Sequence, residues 1–114
     1  MAMLAIPFPP SILRPNDKSH WRVKNPIKVK YRNECYALAL ASEFKPAPTK
    51  KLFIDLEFNP PNNRWDWDGC ISAAKSGFDA VAMAWGIDDR YFRPRLLTWN
   101  PPDVNYPHIK IFFE

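Results

Sequence analysis

Residues 52–58 alternate strictly, with Leu52, Ile54, Leu56 and Phe58 on one side and Phe53, Asp55 and Glu57 on the other. That is the two-residue period of a strand with one face in a core. Asp55 and Glu57 are then expected on a solvent-facing sheet surface. Residues 3–8 predict an earlier strand, stopped by Pro9 and Pro10, and residues 91–99 and 108–113 predict two more, joined by the proline-rich 100–107. Between the second and third strands, Ile71, Ala74, Phe78, Val81, Ala82 and Trp85 recur every three or four residues. This is the apolar face of a helix over 69–85, with Asp68 as its N-cap and Gly86 as a left-handed stop. A second helix is predicted over 28–44, alanine- and leucine-rich, with Tyr31, Cys35, Leu38 and Ser42 along one line. Residues 11–26 show no clear period and read as a long loop, and 45–51 as a stiff linker. The pattern predicts a single α/β domain over 1–114, a mixed sheet of about four strands with two long helices.

Thirteen prolines against three glycines imply stiff, extended connections. The net charge of +4 is unevenly spread: residues 14–51 hold ten Lys or Arg against three acids, whereas 52–114 hold six against nine. A basic half beside an acidic half suits a polyanion brought to a metal centre, although a solvated basic surface would look the same. Cys35 and Cys70 are too few and too far apart for a zinc motif or a disulfide framework, so the cytoplasm is the expected compartment. Cys70 reads as a small buried helix residue rather than a nucleophile, since no suitably paired histidine is visible. The start lacks a basic n-region, and no apolar run is long enough to span a membrane.

The chemistry concentrates between Asn62 and Arg90. Asp66 and Asp68, two apart in an extended segment, would point one way while Trp65 and Trp67 point the other. Two carboxylates held together call for a cation between them, and hard oxygen donors suit Mg2+ or Mn2+. Ser72, Lys75 and Asp79 fall in line with Asp68 on a stripe beside the apolar face, at about 100° per residue. Asp88 and Asp89 follow Gly86. Spacing alone leaves two readings open, a metal site or a helix cap followed by a solvated turn.

Asp66-Trp67-Asp68-Gly69, then Lys75, then Gly86-Ile87-Asp88-Asp89 resembles the RusA family of Holliday junction resolvases. Its pattern is Asp-x-Asp-Asn, a helix bearing a lysine, and Asp-Asp before a strand. Gly69 stands where the family has asparagine, and Ser72 where its lysine is commonest. Lys75, one turn on, has the spacing of a phage-borne branch, which Pro15-Asn16-Asp17 and His20-Trp21-Arg22 also resemble. The resemblance implies that Asp66, Asp68 and Asp89 hold Mg2+, with Mn2+ able to substitute, and that Lys75 is the catalytic lysine. It also implies a dimeric, RusA-like fold acting on four-way DNA junctions in a bacterial host.

Asn16, Lys18, Arg22, Lys24, Lys28, Lys30, Arg32 and Arg64 are the expected DNA-binding residues, making phosphate contacts. His20 reads as a hydrogen-bonding loop residue rather than a metal ligand. A helix over 69–85 would be about 25 Å long at 1.5 Å per residue, and four further residues reach at most about 14 Å. Asp89 can therefore return to Asp66 and Asp68 only if the helix breaks at Ser76-Gly77, or if a second copy supplies it. A homodimer with shared sites is the expected arrangement. The expected function is metal-dependent endonucleolytic resolution of junctions. The alternatives are a junction- or DNA-binding protein of the same fold that has lost catalysis and, more remotely, a protein-interaction module using exposed aromatics.

Overall fold

The computed structural model describes residues 2–46 and 52–114, and of Asp89 the backbone alone. It contains β1 (Ala2–Pro7), α1 (Trp21–Ala41), β2 (Leu52–Asn59), α2 (Trp67–Ala84), β3 (Phe92–Trp99) and β4 (His108–Phe113), with short 3-10 turns at Ser11–Leu13 and Asp89–Tyr91. The four strands form one mixed sheet in the order β1-β4-β2-β3. β4 lies between β1 and β2, antiparallel to both, while β2 and β3 run parallel. A parallel pair needs a long crossover, and α2 supplies it.

The alternation in β2 is realised: Leu52, Ile54, Leu56 and Phe58 are buried and Phe53 is exposed. Opposed residues extend this face across the sheet, with Leu4, Ile111 and Leu56 forming one row and Ile6, Ile109 and Phe58 the next. Asp55 and Glu57 lie on the other face. Asp55 accepts two hydrogen bonds from Arg95 at 3.1 and 3.2 Å, which hold its carboxyl below the usual range. Arg95 is the extra residue of a bulge beside Pro94, whose missing N–H is tolerated at such a site. The third strand starts at Phe92, with Tyr91 in the preceding turn.

α2 is unbroken, so the expected alternative of a break at Ser76-Gly77 does not occur. It ends as predicted: Gly86 has φ 71°, its N–H donates to Met83 O and that of Ile87 to Ala82 O, a Schellman motif. Its buried surface is wider than the predicted face. Ala74 and Val81 are buried while Ile71, Phe78 and Trp85 are half-buried, and Cys70, Ala73, Gly77 and Ala80 are buried as well. A Cβ on Gly77 would lie 2.7 Å from Tyr31 Cε2 and 2.9 Å from Cys35 Sγ. That places this small-residue surface against α1.

The region read as a loop holds the start of α1, which begins at Trp21 rather than Lys28 and ends at Ala41. Pro26 sits inside it, removing an N–H without ending the helix. His20 is the N-cap, its Nδ1 accepting from Arg22 N at 3.1 Å. The buried line is Tyr31, Cys35 and Ala39, with Leu38 exposed. Tyr31 donates its hydroxyl to Pro7 O at 2.7 Å and so ties α1 to β1. Most of the linker read over residues 45–51 lies outside the described residues.

Candidate functional site

The acidic pair sits where the chain turns from β2 into α2. Asp66, not Asp68, is the N-cap, and the helix starts at Trp67. Asp66 Oδ1 accepts from Gly69 N at 3.2 Å and Asp68 Oδ1 accepts from the same amide at 2.9 Å. A Cβ at position 69 would crowd Asp66 Oδ1 as it now sits, but that carboxylate can rotate away, so glycine allows this close seating without being required for the cap. Because Asp68 is already helical, the expected extended geometry fails. Trp65 is buried edge-on against Phe8 at 4.9 Å, whereas Trp67 is 58 % exposed. The two carboxylates nonetheless converge on one amide, at the helix end whose dipole favours negative charge.

They line a groove of about 480 Å³ with Arg14, Asn16, Arg64 and Ser72. Arg14 went unnoticed in the sequence because only the folded loop brings it here. Its guanidinium stacks 4.1 Å above the Trp65 ring and donates to Arg64 O at 3.3 Å. Arg14, held in this way, and the exposed Arg64 therefore flank the two carboxylates. The donor set fits Mg2+, which is commonly held by one or two carboxylates together with waters and substrate phosphate. Among the described residues, no three acidic, histidine or cysteine side chains are grouped to hold a metal.

Lys75 lies two turns along the same stripe, about 10 Å from Asp68 along the axis. Its amine is 3.2 Å from Asp79 Oδ1 rather than in the acidic groove. An exposed pair with lysine N-terminal to the acid contributes at most a few tenths of a kcal/mol. The 68 % exposed Lys75 side chain is thus free to swing towards a bound phosphate. Ser72, between them, lines the acidic groove.

Asp89 lies past the far end of α2, about 27 Å from its start at 1.5 Å per residue over 18 residues. The backbone of one chain does not bring it to the pair, and its side chain lies outside the described residues. Asp88 is engaged by Arg90, with Nη2 to Oδ2 at 3.0 Å.

The other predicted cations divide by position. Lys24, Lys28 and Arg32 line a second groove between α1 and α2. Lys24 donates to Asp17 O and lies 3.9 Å from the Asp17 carboxylate. Lys18, Arg22 and Lys30 are exposed outside both grooves, with Arg22 over the Trp21 ring at 5.7 Å.

Cys35 and Cys70 are free and fully buried. Burial pushes the Cys35 thiol up to about 12; it also raises that of Cys70, where the Asp66 charge adds to the effect. Both thiols stay protonated at pH 8 and are not nucleophiles. In native protein at that pH, neither should react with a disulfide reagent over minutes, and both should react once denaturant is added. Rapid native labelling of Cys70 would contradict this packing.

Compared with models of known protein families and with curated proteins, the chain matches none. Among the described residues no helix is long and apolar enough to cross a membrane.

Proposed function

We propose that this protein is a metal-dependent, structure-specific endodeoxyribonuclease of the RusA type that acts as a homodimer on four-way DNA junctions in the cytoplasm of a bacterial host. The observation that carries the reading is the Asp66–Asp68 pair converging on Gly69 N beside Arg14 and Arg64, with Lys75 on the same helix stripe. Asp66 and Asp68 would hold Mg2+, which when bound activates water and offsets charge on the phosphorane-like transition state. Arg14 and Arg64 orient the phosphodiester, and Lys75 stabilises developing charge or protonates the leaving oxygen. The unbroken α2 supports the dimer: Asp89 completes a site only if it comes from a second copy, packed with its α2 antiparallel.

The test is cleavage of a synthetic junction with Mg2+ and with chelator. Paired nicks that need the metal are expected, and no nicking under either condition refutes the nuclease. Shared sites have a sharper signature. Mixing Asp68→Asn with Asp89→Asn protein, each inactive alone, should restore cleavage, because one site of every mixed dimer then has no substitution. If the mixture stays as dead as its parts, the carboxylates are not shared.

A second reading, a junction-binding protein without catalysis, is favoured by Gly69, by Ser72 in the acidic groove and by Lys75 outside it. Salt-sensitive junction binding without metal-dependent nicking would select it.

A further inference from the structure

The groove between α1 and α2, about 670 Å³, adjoins the acidic groove at Ser72, which lines both. Lys24, Lys28 and Arg32 stand along one wall at four-residue intervals, facing Lys75, Ser76 and Asp79. Among the described residues four cations line its walls with a single carboxylate, which Lys75 already takes, while Lys24 is held by Asp17 just outside. Across the eight residues from Lys24 to Arg32, the row runs about 12 Å, room for roughly three phosphates of a stacked strand at about 3.4 Å each. Ser76, buried in the opposite wall, has a hydroxyl with no hydrogen-bond partner among the described residues. At one end Trp21 is 65 % exposed, a large flat ring whose position no core packing requires.

We infer that this groove is a docking channel for one strand of nucleic acid: phosphates on Lys24, Lys28 and Arg32, and a base stacked on Trp21. Charge selects a polyanion, regular spacing selects a repeating one, and the exposed indole selects one that carries flat rings. Contacts of this kind are indifferent to sequence. The assignment rests on the nucleic-acid reading above and extends it, since the strand leaving the acidic pair at Ser72 would run directly into this channel.

The measurement is anisotropy of a labelled oligothymidylate, titrated with full-length protein in EDTA across a range of salt, so that cleavage plays no part. Wild-type protein should bind, with affinity falling steeply as salt rises. Lys28→Ala and Arg32→Ala should each lower the log–log salt slope by about 0.7. Trp21→Ala should weaken binding at least about fivefold, with Trp21→Phe retaining most of it. All three positions are exposed, and thermal melts establish that each variant folds. Absence of single-strand binding by wild type, or an unchanged slope in Lys28→Ala/Arg32→Ala, overturns the channel. If these variants lose strand binding while the wild type cuts no DNA, the channel stands and the nuclease falls. If junction cleavage is intact and the variants bind as wild type, the channel alone is wrong.

Discussion

Asp68→Asn is expected to lower metal-dependent junction cleavage by roughly 10²–10³ or more while leaving junction binding within about twofold. Asparagine keeps the size and one acceptor oxygen, so the bond to Gly69 N survives while the negative charge that holds a divalent cation is lost. Asp66 separates charge from fold more finely. As N-cap it contributes about 1 kcal/mol through the bond to Gly69 N, and asparagine caps as well as aspartate. Asp66→Asn should therefore lose cleavage with an unchanged melting temperature, whereas Asp66→Ala should lose both. Single-turnover cleavage together with thermal melts would decide it. Undiminished cutting by either asparagine variant would remove these carboxylates from the chemistry.

Gly77→Ala should destabilise the domain although alanine is the better helix former. The propensity gain is about 1 kcal/mol. Against it, the new methyl meets the Tyr31 ring at 2.7 Å and Cys35 Sγ at 2.9 Å. Neither neighbour can retreat cheaply: the ring is pinned by its hydroxyl on Pro7 O, and Cys35 has no exposed surface. A net loss of about 1–3 kcal/mol is expected, a fall in Tm of roughly 5–15 °C for a domain of this size. Tyr31→Phe frees the ring, so the double variant should lose less than the two single changes predict together. A Gly77→Ala protein that melts at or above wild type would show that the helices separate more easily than this packing allows.

The strands and the end of α2 were legible because each signal is local. Alternation over residues 52–58 needs only one buried face, and Gly86 needs only a positive φ. The start of α1 was hidden by Pro26, which reads as a boundary, and by a first turn without an acidic residue. The N-cap was displaced by two because both aspartates accept from Gly69 N, so their spacing does not distinguish them. The contact between the helices was missed because Cys70, Ala73, Gly77 and Ala80 give a weak apolar signal. Their value is smallness, which has meaning only once a partner helix is present. The same holds for the site. Asp66, Asp68 and Lys75 stood out by spacing, but Arg14 reaches the acidic groove only through the fold of the loop that carries it.

Because β4 is the strip joining β1 to β2, β1 has no strand partner until residues 108–113 have been made. The β2–α2–β3 crossover can assemble during translation, whereas Leu4 and Ile6 wait for Ile109 and Ile111. A stalled nascent chain lacking those residues would expose β1 and one side of β2 together, the moment at which it would most need a chaperone.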